Sequence, residues 1–111
     1  MSDLADQKCI PCSIGTPPLE GEELDSYYQQ ISDEWQLVEK HHLERNFTFK
    51  NFRQALDFTN EIGELAEKEG HHPDIALSWG KVVLTLYTHK IDGLSDADFV
   101  FAAKVDKLTE P

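Results

Sequence analysis

The spacing of apolar and polar residues divides the chain into three helices and two pairs of strands. Apolar side chains recur three and four residues apart from Leu19 to Ile31 and from Asn51 to Glu69, which predicts two amphipathic helices. Alternating apolar and polar residues, interrupted by short polar or glycine-containing turns, predict two hairpins. Their strands cover residues 35–38, 43–49, 74–78 and 81–88. A third helix is predicted to follow Ser95, so the order is helix, two strands, helix, two strands, helix.

Signals at the end of the second helix place a sharp turn before two adjacent histidines. Asn51, with a glutamine three residues later, resembles a capping box at the start of this helix. Gly70 suits the left-handed position that ends a helix, and Pro73 prevents the helix from continuing. We therefore expect the chain to turn abruptly and to present His71 and His72 at the helix end.

The last predicted strand has one strongly apolar face. Val82, Leu84 and Leu86 share that face, because alternate residues of a strand point the same way. We expect this face to pack against the helices. His89 then ends the strand on the opposite face, where its side chain can reach a ligand.

Composition indicates one acidic globular domain. The chain has 111 residues, 40% of them hydrophobic and 28% charged, with a formal net charge of −11. That charge disfavours binding to nucleic acid or to an anionic membrane. The sequence has no apolar run near the ~20 residues of a membrane span, and its first residues do not resemble a signal peptide. A cytoplasmic location is therefore expected.

Residues 1–18 are predicted to form an N-terminal arm, and residues 19–111 a single domain. The arm is rich in proline and contains Cys9 and Cys12 in a C-x-x-C arrangement. The arrangement is typical of a redox pair or of half a zinc site, but no second ligand pair with matching spacing follows. We interpret the cysteines as two reduced thiols in a loosely held arm.

Three of the five histidines are concentrated around the second hairpin. His71 and His72 are adjacent, and His89 closes the apolar strand. Histidine has an unperturbed pKa of ~6.5, so a group of imidazoles indicates acid–base chemistry or a metal site. The alternative for the adjacent pair is a purely structural interaction with the carbonyl groups at the end of the helix.

The other two histidines, His41 and His42, lie in the connection between the first two strands. Their surroundings are charged, and the sequence there shows neither a carboxylate pattern nor an apolar cleft. We interpret this segment as a solvated turn.

Several short motifs, in order, carry a resemblance to a known family. His71-His72-Pro73-Asp74, the Thr-His pair that ends at His89, and the Gly-Leu-Ser-x-x-Asp segment that ends at Asp98 follow one another at the expected intervals. With Trp79 between them, they resemble the pterin-4a-carbinolamine dehydratases. The resemblance covers roughly residues 19–108, and Asp74 stands where some members have glutamate.

This resemblance implies a fold and a reaction. The fold is α+β: a four-stranded antiparallel sheet with helices packed on one face. Members form homodimers or homotetramers and convert 4a-hydroxytetrahydropterin to quinonoid dihydropterin, which recycles the pterin of aromatic amino-acid hydroxylases. The dehydration transfers no electrons, so no cofactor is expected. It requires a proton donor for the leaving hydroxyl and a base for the N5 proton.

The resemblance also implies which residues form the site. His71, His72 and His89 are the predicted catalytic residues. Asp98 is predicted to orient an imidazole, although it also has a structural explanation as part of a helix cap. Asp74 is a predicted orienting group. Trp79 is predicted to form either an apolar wall for the flat pterin or part of the core.

Two alternatives remain open from the sequence. A metal-assisted enzyme would use the three histidines and a carboxylate, but adjacent histidines rarely bind one ion together. The second alternative is a non-catalytic binding protein, since animal members of the family also act as a dimerisation partner of a homeodomain transcription factor. All three histidines are present, and this favours catalysis.

Overall fold

The computed structural model, which describes residues 18–109, contains three helices and one four-stranded antiparallel sheet. The helices are α1 (Gly21–Tyr28), α2 (Phe52–Glu69) and α3 (Asp96–Thr109). The strands are β1 (Gln36–Val38), β2 (His42–Thr48), β3 (Asp74–Ser78) and β4 (Lys81–Leu86). The predicted element order and the α+β fold class are confirmed. The predicted arm, with Cys9 and Cys12, lies outside the described residues except for Pro18.

The sheet has the order β1-β2-β4-β3, so β4 is paired on both sides. Val82, Leu84 and Leu86 are fully buried and belong to the core that the helices share, which confirms the predicted inward face. The intervening residues Val83 and Thr85 lie on the open face and are only half-buried. Alternation along β4 therefore sets which side chains face the helices.

Helix α3 is buried on more than one face. Every residue from Ala97 to Ala103 is buried. On the α1 side, the ring of Phe99 stacks on Tyr27 with 5.5 Å between the ring centroids. A helix that is apolar on all sides is buried in a core, and this burial brings the first turn of α3 beneath the end of β4.

The ends of α2 form as predicted. The Asn51 side chain accepts a hydrogen bond of 2.9 Å from the backbone N–H of Gln54. Gly70 has a φ of 66°, in the left-handed region that glycine adopts without strain. The backbone N–H groups of Gly70 and His71 both donate to the carbonyl of Ala66. These two hydrogen bonds to one carbonyl fix the direction in which the chain leaves α2.

A group of hydrogen bonds centred on Asp106 joins α3 to the opposite side of the fold. Its carboxylate accepts hydrogen bonds from the backbone N–H of Ser32 at 2.8 Å, from Trp35 Nε1 at 2.7 Å and from Arg45 Nη1 at 2.6 Å. Arg45 and Asp106 are 13% and 16% exposed, so little solvent screens the pair. The carboxylate thereby connects α3 to β2 and to the segment before β1.

Among residues 18–109, no helix combines the length and the apolar character that crossing a membrane requires.

Replacing Asp106 with alanine should lower the free energy of unfolding by about 3–5 kcal/mol, because it leaves a poorly solvated guanidinium without its carboxylate. Urea unfolding followed by circular dichroism measures the change. Asp57→Ala, at an exposed position of α2, is the matched control and should change stability by no more than about 0.5 kcal/mol. Equal stability of Asp106→Ala and the control would show that the contact contributes nothing.

Candidate active site

One cavity of ≈ 250 Å³ lies where α2 ends, β4 ends and α3 begins. Its lining includes all three predicted catalytic histidines, His71, His72 and His89. Tyr87, Thr88 and Lys90 also line it. The turn after Gly70 and the end of the second hairpin therefore meet around a common space. The sequence analysis grouped these three histidines around the second hairpin, and the resemblance implied that they share one site.

His71 is held by a fully buried carboxylate. Its Nε2 lies 2.6 Å from Oδ1 of Asp98, with the two side chains 14% and 0% exposed. Its ring also packs against Phe101, with 5.9 Å between centroids. An ionised carboxylate only accepts hydrogen bonds, so we assign the proton of this contact to Nε2. Nδ1 is then the ring nitrogen left for other partners.

Asp98 is itself surrounded by hydrogen-bond donors. Its Oδ2 accepts from Thr88 Oγ1 at 2.8 Å and from the backbone N–H of Ser95 at 2.9 Å. The bond to Ser95 is one half of the predicted capping box, whereas the Ser95 hydroxyl contacts Thr88 rather than a backbone N–H of the helix. The bond to His71 is additional. Within residues 18–109, every buried side-chain nitrogen or oxygen has a hydrogen-bond partner. The same carboxylate thus caps α3 and contacts a cavity imidazole.

His72 has a different carboxylate partner and a different environment. Its Nε2 lies 2.6 Å from Oε2 of Glu67, and the two side chains are 62% and 77% exposed. Although it is adjacent to His71, it does not share the buried pocket of Asp98. Both imidazoles bond to carboxylates, so their side chains do not serve the structural role at the helix carbonyls that the sequence left open.

His89 lies on the other side of the cavity, in a turn of 3-10 helix (His89–Ile91) that follows β4. Its ring packs on Tyr87 with 4.2 Å between centroids. Its Nε2 is 3.9 Å from Oδ1 of Asp74, and both side chains are about 60% exposed, at 60% and 61%. Water therefore screens this pair, and its electrostatic contribution is small.

Each of the three imidazoles lies beside its own carboxylate instead of converging on a common point. His71 is paired with a buried Asp, whereas the partners of the other two are exposed. The two hydrogen-bonded pairs, those of His71 and His72, can hold a proton at a defined nitrogen and can exchange it with a bound molecule. The 3.9 Å between His89 and Asp74 is too long for a hydrogen bond. Residues 18–109 contain no group of three or more His, Cys, Asp or Glu side chains that could hold a metal ion.

Trp79 does not lie at this cavity. It occupies the turn between β3 and β4, is 68% exposed and belongs neither to the core nor to the cavity lining. The six residues of β4 separate that turn from the cavity, about 20 Å at the usual rise per residue. Both sequence-based interpretations of Trp79, as pterin wall and as core residue, therefore differ from its observed position.

Tyr87 and Thr88 line the cavity, although the sequence interpretation did not place them there. The His41-His42 segment lies against Tyr87, outside the lining. His41 packs on the ring of Tyr87 with 4.9 Å between centroids, and its Nε2 lies 2.8 Å from Oδ1 of Asp92. The predicted turn is present with Glu39 and Lys40 exposed, whereas His41 and His42 are half-buried. The period of two that places Tyr87 on the same face as His89 was the available signal.

Comparison of the chain with known proteins finds matches in one family. The profile of the family described as pterin 4 alpha carbinolamine dehydratase matches residues 17–108. A protein of Alkaliphilus metalliredigens named "Putative pterin-4-alpha-carbinolamine dehydratase" is 66% identical over 107 residues, which is 96% of each chain.

Two solved structures are also similar. A "transcriptional coactivator/pterin dehydratase" from Brucella melitensis has a TM-score of 0.75 and 30% identity, over 84% of this chain and 99% of that one. A "pterin dehydratase-like protein", described as a RuBisCO assembly factor in the alpha-carboxysome, has a TM-score of 0.55 and 29% identity, over 67% of this chain and 84% of that one. The family profile covers most of the chain and the relatives match along nearly their whole length, so the chain belongs to the pterin 4 alpha carbinolamine dehydratase family.

Proposed function

We propose that this protein is a hydro-lyase that removes water from 4a-hydroxytetrahydropterin to give quinonoid dihydropterin. The observation that supports this most strongly is the cavity lined by three imidazoles, each beside its own carboxylate, in a chain of this family. At ≈ 250 Å³ the cavity is slightly smaller than the roughly 300–1,000 Å³ usual for small-molecule sites, which suits a compact, flat ring rather than a large ligand.

The reaction needs two proton transfers and no electron transfer. The C4a–O bond breaks as a proton reaches the hydroxyl oxygen, and water leaves with the bonding electrons. The lone pair of N5 forms the C4a=N5 double bond, and a base removes the N5 proton. Imidazole donates and accepts protons near neutral pH, and each correctly placed acid or base typically contributes ~10²–10⁴-fold.

The positions of the histidines suit a division of these roles across the cavity. His71 and His72 lie on the α2 side, and His89 lies on the β4 side. In the proposed mechanism one of the adjacent pair protonates the leaving hydroxyl, while His89 acts on N5. Asp98 orients His71, and Asp74 is a weaker orienting group for His89 because both of those side chains are exposed.

The remaining features of the proposal come from the family resemblance and from the charge of the chain. We propose a cytoplasmic homodimer or homotetramer that acts on the pterin released by an aromatic amino-acid hydroxylase and needs no cofactor. The net charge of −11 supports the expectation that neither nucleic acid nor an anionic membrane is a direct partner.

A second candidate is a binding role without catalysis. The two solved relatives carry the words coactivator and assembly factor in their descriptions, which is the observation that favours it. A protein that acts only by binding does not require cavity histidines for its function. Dehydration assays on histidine variants therefore separate the two candidates.

Replacing His72 with alanine should lower kcat for pterin dehydration by ~10²–10⁴-fold, because a proton-transfer group is removed. The side chain is 62% exposed, so the fold should remain intact. Stopped-flow absorbance of the 4a-hydroxytetrahydropterin decay measures the rate, and circular dichroism checks the fold. Asn60→Ala, at an exposed position of α2 outside the cavity lining, is the control and should retain activity. Equal rates for His72→Ala and the unmodified protein would reject the catalytic proposal.

Replacing Asp98 with asparagine should lower kcat by ~10²–10⁴-fold at nearly constant side-chain size. The carboxamide can still accept hydrogen bonds from Thr88 and Ser95, but it then turns its NH₂ group toward Nε2 of His71. That reverses the tautomer of the imidazole. Asp96→Asn, at an exposed position in the first turn of α3, is the control. Unchanged kcat in Asp98→Asn would show that the tautomer of His71 is irrelevant to turnover.

Dialysis against EDTA should leave the dehydration rate unchanged, because the proposed reaction uses protons and imidazoles only. The rate is measured before and after dialysis, and again after Zn²⁺ is added back. A rate that falls on dialysis and recovers with Zn²⁺ would instead support the metal-assisted alternative.

A further inference from the structure

Thr88 is a buried polar residue on the inward face of the hairpin. It continues the set Val82, Leu84 and Leu86, which are fully buried, and is itself 9% exposed. A hydroxyl at such a position loses its contacts with water, so it must find a partner inside the protein. The catalytic roles proposed above do not use Thr88, although it lines the cavity and precedes His89.

Thr88 and Ser95 both bring a hydroxyl to the carboxylate of Asp98. The Oγ1 of Thr88 lies 2.8 Å from Oδ2 of Asp98 and 2.8 Å from Oγ of Ser95. The carboxylate can only accept, so we assign the single hydroxyl hydrogen of Thr88 to Asp98. The Ser95 hydroxyl can donate to Thr88 at 2.8 Å or to the same Oδ2 at 3.4 Å, and the shorter distance favours Thr88. The hydroxyls thus form a chain that ends on the carboxylate, whose other oxygen contacts His71.

The backbone of Thr88 is fixed independently of this chain. Its N–H donates to the carbonyl of Gly93 at 2.8 Å, and the N–H of Gly93 donates to the carbonyl of Thr88 at 3.4 Å. A substitution that keeps a β-branched side chain can therefore remove the hydroxyl while leaving both backbone bonds in place.

We propose that Thr88 is a positioning residue that acts on His71 through Asp98. Its hydrogen bond keeps the carboxylate turned so that Oδ1 meets Nε2 of His71. This holds the proton on Nε2 and leaves Nδ1 as the nitrogen that exchanges a proton with the bound pterin. The catalytic part of the inference rests on the proposed function, whereas the effect on the His71 tautomer does not.

The test compares Thr88→Val with Thr88→Ser. Valine has nearly the shape of threonine and lacks the hydroxyl, whereas serine retains it. We expect kcat of Thr88→Val to fall about tenfold, with KM changed by less than about twofold, because the lost contact acts on a proton-transfer group rather than on substrate binding. Thr88→Ser should keep kcat within about threefold of the unmodified protein.

A spectroscopic measurement on the same proteins is independent of turnover. The ¹⁵N chemical shifts of the His71 ring distinguish the Nε2–H tautomer from the Nδ1–H tautomer. We expect the Nε2–H form in the unmodified protein and in Thr88→Ser. In Thr88→Val we expect a mixture of the two forms, because a carboxylate that turns away from Nε2 in part of the molecules no longer fixes the proton there. If the unmodified protein has no dehydratase activity, the proposed function fails, but these shifts still decide the effect of Thr88 on His71.

Thr59→Val is the matched control, because it also removes a threonine hydroxyl that donates a hydrogen bond, here at 2.9 Å to the carbonyl of Ala55 in α2. It should leave both kcat and the His71 shifts unchanged. If Thr88→Val does not fold, Thr88→Ala replaces it in the comparison with Thr88→Ser. Unchanged His71 shifts in the hydroxyl-free variant would overturn the proposal, even if kcat falls, since the loss would then be purely structural.

Discussion

The contact between the buried carboxylate of Asp98 and the imidazole of His71 is the interaction on which the site depends. A fully buried carboxylate is costly unless donors surround it, and here Thr88, Ser95 and His71 supply them. These three residues come from the end of β4, the start of α3 and the turn after α2. The hydrogen bonds that stabilise the carboxylate of Asp98 therefore bring together the three segments that line the cavity.

Much of the fold follows from local rules that the sequence displays directly. Gly70 takes the left-handed backbone conformation that commonly ends a helix. At the start of α3, Asp98 accepts a hydrogen bond from the backbone N–H of Ser95, because the first N–H groups of a helix have no partner within it. The alternation around Leu84 sets the inward face of the sheet. These rules act over a few residues, so a single sequence is sufficient to read them. They also place His71 and His89 at the ends of adjacent elements.

Contacts between distant residues were not predictable in the same way. Arg45 occupies an inward position of β2 only because Asp106, which is 61 residues away, neutralises it. Trp79 lies at the far end of β4 because strand length separates the two ends of a hairpin, whereas sequence order places it between the histidines. Thr88 did carry a usable signal: a hydroxyl on an otherwise apolar face requires an internal partner.

The cavity between His71, His72 and His89 is the proposed binding place of the pterin. The most direct measurement is a crystal structure of the protein with a dihydropterin, which has no C4a hydroxyl to lose and therefore does not turn over. We expect the bicyclic ring in this cavity, with all three imidazoles within contact distance of about 4 Å. A pterin bound elsewhere on the protein, with these histidines untouched, would contradict it.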